Sequence, residues 1–133
     1  MKKMIVAVLL TVAALVACSK EGGGGGGAPK PEGKTVSAAD LKAAKDAYES
    51  RCATCHGATG KGDGAGAAAL NPKPRNYTDK AWQKSVTDEQ IKKTIIMGGA
   101  AVGKSPIMPA SPDLDSKPEQ VDGLVKLIRG FGE

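Results

Sequence analysis

The sequence predicts an all-α fold, and two observations carry that expectation. Helix-start signatures, a Ser or Thr followed three residues later by a side-chain acceptor, stand at Ser37-Ala38-Ala39-Asp40, Thr87-Asp88-Glu89-Gln90 and Ser116-Lys117-Pro118-Glu119. Behind each, apolar residues recur at helical spacing, and no segment sustains the alternation of a strand.

Taken in chain order, residues 1–17 read as a lipoprotein signal peptide outside the fold. Lys2 and Lys3 form a basic start, and residues 4–16 an apolar run of 13, too short to span a bilayer comfortably. The run ends at Leu15-Val16-Ala17-Cys18, which resembles the bacterial lipoprotein signal, where cleavage precedes a cysteine that then takes the lipid. An ordinary secretory signal with a leftover cysteine is the alternative. The small residue before Cys18 and the tether after it favour lipidation. Residues 18–36 are then the lipidated cysteine and a flexible Gly/Pro-rich linker, with six glycines at 22–27. Such a segment buries no apolar surface; its r.m.s. reach is about 24 Å and its contour roughly 60 Å. A domain on this leash can reorient at a membrane surface, and a plain spacer role fits equally.

Residues 37–133 make one domain of 97 residues. Its first helix opens at Ser37, carries Leu41, Ala44 and Tyr48 at helical spacing, and runs to about Arg51, straight into Cys52. A loop over 57–78 follows, then a short helix over 79–85. The next helix opens at Thr87, places Ile91 and Ile95 on one face, and stops at Gly98. A second loop covers 99–115. The last helix opens at Ser116 and sets Val121, Leu124, Val125 and Ile128 at i, i+3, i+4, i+7. Two such loops are long for so small a domain. Its four aromatics, Tyr48, Tyr77, Trp82 and Phe131, make a thin core. A large bound group would resolve both. Lys+Arg and Asp+Glu number 14 and 12 here, with no basic cluster interleaved with aromatics, so nucleic-acid binding is not implied.

Cys52-Ala53-Thr54-Cys55-His56 identifies that group. Cys-x-x-Cys-His is the attachment pattern of a c-type haem. On a helix, positions i, i+3 and i+4 share a face. Two thiols three residues apart can therefore bond the two vinyl groups of a porphyrin, and the adjacent histidine comes under the iron as an axial ligand. Other readings fit worse. A structural zinc wants four ligands; with Cys18 in a processed region, only Cys52, Cys55 and His56 remain. A thioredoxin-like pair would sit near strands that are absent here. A disulfide across two residues encloses almost no chain entropy. The glycines from Gly57 to Gly66 form no phosphate loop; they suit a chain wrapping a haem edge, or simply flexible surface.

His56 is the only histidine, which excludes bis-histidine ligation within one molecule. Methionine is the next candidate for the sixth position. Met1 and Met4 lie in the signal. Met97 stands at a helix end beside Ile95 and Ile96, where it reads as a core gap-filler. Met108 stands in Pro106-Ile107-Met108-Pro109, where two prolines fix the backbone, and is favoured. A lysine ligand or an open position is the remaining alternative.

The chain resembles the small monohaem class I cytochromes c of bacterial periplasms over most of 37–133. The shared order is Tyr48 four residues before Cys52, the motif followed by Gly57, a glycine-rich loop to Gly66, Leu70-Asn71-Pro72-Lys73-Pro74, Ile95 to Gly98, Met108-Pro109 and the last helix. Two positions depart. Ala44 stands where the family often has glycine at the crossing of first and last helices, implying a slightly wider crossing. Leu127 stands where an aromatic is usual. The resemblance implies that a proline carbonyl, of Pro72 or else Pro74, accepts the His56 ring N–H. Trp82 and Arg75 would bond haem propionates, or serve only packing and solvation. The resemblance also implies haem attachment outside the cytoplasm. With the lipid anchor, that places the protein on the periplasmic side of a bacterial envelope. The implied function is a monomeric one-electron carrier, not an enzyme, with one covalent haem c. Its redox partners would be membrane-associated members of a respiratory-type chain, a quinol-oxidising complex and a terminal oxidase or reductase. Lys61 and Lys104 would steer acidic partners or merely be solvated. Competing readings are a haem subunit of a larger oxidoreductase complex and an open-site haem enzyme or gas sensor. The last lacks a second histidine for distal acid–base help.

Overall fold

The computed structural model describes residues 35–133; the expected signal peptide, Cys18 and nearly all of the linker lie outside the described residues. The described chain is helical and contains no strand. Helix α1 (Ala38–Ala47) starts where Ser37 caps it, the Ser37 Oγ accepting from the Asp40 N–H at 3.1 Å. The helical path then widens into a π-turn over Tyr48–Cys52, in which the Ala53 N–H reaches back to the Tyr48 carbonyl. It continues as α2 (Ala53–His56). Ser50 Oγ donates to the Asp46 carbonyl at 2.7 Å, beside the widened turn. The helix expected to run from Ser37 into Cys52 thus carries a π-turn that no residue pattern announces.

Helix α3 (Lys80–Ser85) is capped by Asp79, which accepts from the Ala81 and Trp82 N–H groups. Helix α4 (Asp88–Ala101) opens on a complete capping box between Thr87 and Gln90. Its regular part stops at Gly98, whose φ of 76° and ψ of 172° break the path before one last turn. Helix α5 (Pro118–Gly130) starts later than the Ser116 signature implied. Lys117, with φ −130°, is the N-cap and Pro118 the first helical residue. Proline drives the residue before it out of the helical region, so Lys117 cannot lie inside a helix opened by Ser116. The Ser116 hydroxyl instead turns to the Asp113 carbonyl at 3.4 Å. Short 3-10 turns at Ala65–Ala67 and Pro112–Leu114 punctuate the two long loops.

Helices α1 and α5 pack through the centre of the core. Ala44 is fully buried, and Leu124 and Val121 are the largest fully buried side chains. Burial of each such aliphatic contributes about 1.5–3 kcal/mol. A Cβ on Gly123 would lie 2.8 Å from the Ala44 Cβ. A small residue that permits close approach therefore stands on α5, with Ala44 packed directly against it. The aromatic contact is displaced in the same way. Phe131, one turn beyond Leu127, brings its ring centroid within 5.3 Å of that of Tyr48, while Leu127 packs partly buried against the core.

Arg129 ties α5 to the segment between α3 and α4. Its Nε donates to Asp88 Oδ1, its Nη1 to the Gln83 carbonyl and Oε1, and its Nη2 to the Val86 carbonyl and Asp88 Oδ1. One guanidinium thereby satisfies carbonyls that the end of α3 leaves without helical partners.

Candidate functional site

The π-turn and α2 carry the two thiols and the imidazole on consecutive turns. Cys52 ends the π-turn; Cys55 and His56 end α2. Both cysteines are free thiols of intermediate exposure. Burial pushes the Cys52 thiol up, with the Arg51 guanidinium opposing, so the group stays protonated near neutrality. The loop after α2 folds back on it. The N–H of Gly62 donates to the His56 carbonyl at 2.8 Å and that of Gly64 to the Cys55 carbonyl at 3.2 Å. Tyr48 closes the same corner, its hydroxyl donating to the Gly57 carbonyl at 2.8 Å. These contacts take up the orphan carbonyls of a short helix and hold it rigid.

His56 is 8% exposed. Its Nδ1 lies 3.1 Å from the Arg75 carbonyl. Burial lowers its pKa and the Arg75 bond partly opposes this, so the ring is neutral. The Nδ1–H donates to Arg75, and the lone pair of a neutral imidazole is then on Nε2. The expected partner, Pro72 or Pro74, is corrected to Arg75. The Pro74 carbonyl points at Gly62, against the place a Cβ would occupy. The next carbonyl, that of Arg75, meets the imidazole.

Tyr77 is a site residue that the sequence reading counted only as an aromatic of the core. Its ring stacks on the imidazole, with centroids 4.5 Å apart and planes within 10°. Its hydroxyl lies 3.2 Å from Nε2. Two coplanar rings at that spacing would collide, so the rings overlap face to face. The hydroxyl then lies over the imidazole face, out of the plane that holds the Nε2 lone pair. That lone pair stays available to a metal.

Among the described residues no three His, Cys, Asp or Glu side chains converge on one point. The donors present are two free thiols at i and i+3, one oriented neutral imidazole, and a thioether on a separate loop. This set fits a covalently held c-type haem. Met108 is partly exposed in the loop after α4. Its carbonyl accepts from Gly99 at 3.0 Å and its N–H donates to Ser105 at 3.3 Å. Met97 is not the core filler expected of it: it is 48% exposed, as Ile107 is at 55%. Arg75 places its guanidinium carbon 5.8 Å from the Trp82 ring centroid and pairs with Asp79 at 3.5 Å. Lys61 and Lys104 are exposed.

The cytochrome c family profile matches residues 41–131. The chain belongs to the cytochrome c family. A solved structure of the KustC0563 c-type cytochrome is similar to this cytochrome, with 32% identity and a TM-score of 0.50, covering 68% of this chain and 98% of that one. No curated protein matches the chain significantly. The all-α architecture is that of the family, and the cytochrome binds covalent c-type haem with iron. Haem-based electron transfer with redox partners follows from that membership.

Proposed function

We propose that this cytochrome is a monohaem class I one-electron carrier, with Cys52 and Cys55 holding the haem as thioethers and His56 and Met108 as axial ligands. The observation that carries the reading is the environment of His56. It is the chain's only histidine, buried beside two free thiols, with Nδ1–H committed to Arg75 and the Nε2 lone pair unspent. The haem supplies an iron that cycles between ferric and ferrous states. The chain's own residues do the rest. Arg75 fixes the imidazole tautomer and raises its basicity. The Gly99 N–H and the turn at Ser105 hold the Met108 backbone. A thioether opposite histidine raises the potential and leaves no ligand position free, so the site suits transfer of an electron and not chemistry on a bound substrate.

The remaining features extend this reading. A signal over residues 1–17, lipid on Cys18 and a linker to residue 36 would leash the monomeric domain to the periplasmic side of a bacterial envelope membrane. There it would shuttle between a quinol-oxidising complex and a terminal oxidase or reductase; the reach of about 24 Å suits a mobile carrier. Lipidation is read from the mass of the mature N-terminus, and an unmodified Cys18 would sink the anchor.

The ligand assignment is tested by the oxidised optical spectrum. A weak long-wavelength band of methionine-ligated ferric haem, kept in Met97→Ala and lost in Met108→Ala, is expected. Loss of the band in Met97→Ala with retention in Met108→Ala would move the ligand to Met97.

A further inference from the structure

We propose that Tyr77 is a positioning residue for His56: its ring fixes the rotation of the imidazole. The inference rests on His56 being the axial ligand. The bond from Nδ1 to the Arg75 carbonyl holds one edge of the imidazole. A single hydrogen bond still allows the ring to rock about its Cβ–Cγ bond, because terminal torsions of this kind are broad. The face-to-face stack removes that freedom: rotation would drive an imidazole edge into the Tyr77 ring.

Such a plate works only if it is itself immobile, and Tyr77 is. It is 7% exposed. Its N–H donates to the Gly60 carbonyl at 2.6 Å and its carbonyl accepts from Gln83 Nε2 at 2.7 Å. Its ring is backed by Trp82 at 5.4 Å and Phe131 at 6.3 Å.

The test uses the haem-loaded protein with Tyr77→Phe and Tyr77→Leu. Tyr77→Phe keeps the stack and should leave the spread of haem methyl proton shifts in the ferric NMR spectrum unchanged. Tyr77→Leu removes the plate and should change the spread of shifts, which reports the orientation of the ligand plane. A folded Tyr77→Phe with a spread of shifts unlike wild type overturns the role of the ring, whether or not Tyr77→Leu folds. A folded Tyr77→Leu with wild-type shifts overturns the role of the ring. A wild-type spectrum without histidine ligation overturns the ligand assignment and this inference together, whereas normal wild-type ligation with an unaltered Tyr77→Leu overturns the inference alone.

Discussion

At Gly98 the chain leaves the path of α4 with φ 76°, and the segment carrying Met108 crosses directly over it. A Cβ there would lie 2.7 Å from the Ala110 nitrogen and 3.0 Å from the Met108 carbonyl oxygen. Both the backbone conformation and the space therefore require glycine. Gly98→Ala should cost about 1–3 kcal/mol and, in the haem-loaded protein, should weaken the methionine band at a lower temperature than in wild type. Equal melting and an equal band would show that the strand of chain over Gly98 does not hold Met108. At this scale the sequence is legible for side chains with distinctive chemistry: Cys52, Cys55, His56 and the two candidate methionines stand out by type and spacing. Backbone partners are not legible in the same way. Every residue has a carbonyl, and the choice of Arg75 over Pro72 is settled by how the loop packs, with the Pro74 carbonyl against Gly62 and the Arg75 carbonyl at the imidazole. Tyr77 was missed because it sits in a loop without periodicity, 21 residues from His56.

The elements are joined by a few long side chains as much as by apolar packing. Arg129 contributes five hydrogen bonds from α5 to Gln83, Val86 and Asp88. A lysine offers a single ammonium and cannot reproduce this fork. Arg129→Lys should therefore destabilise the domain by roughly 1.5–3 kcal/mol, read as a lowered denaturation midpoint. A change within a few tenths would mean that water replaces those donors without loss. Cap residues predicted the starts of α1 and α4, because Ser37 and Thr87 meet their amides through local bonds. The start of α5 needed the preceding-proline restriction as well as the cap pattern. The π-turn before Cys52 escaped altogether: it holds no Gly or Pro to mark it, and its first residue, Tyr48, is held by contacts with Gly57 and Phe131 that lie far off in sequence or outside the turn.

Over the whole molecule, the order of motifs from Tyr48 to the last helix was enough to identify the fold, since each piece occupies the place that a small helical domain around a haem requires. The core of Ala44, Leu124, Val121 and Ile128 was legible from helical periodicity. What periodicity could not give was which helix supplies the glycine at the crossing, because Ala44 and Gly123 are 79 positions apart and only their packing relates them. Two long loops and few aromatics make sense for a chain that folds around a bound group. The central claim is that this group is a haem whose iron is closed by His56 and Met108. The measurement that tests it most directly is the optical spectrum of the reduced protein before and after carbon monoxide. The account predicts a low-spin spectrum that carbon monoxide leaves unchanged at neutral pH; a high-spin spectrum that shifts on adding the gas would contradict it and make the iron an open site.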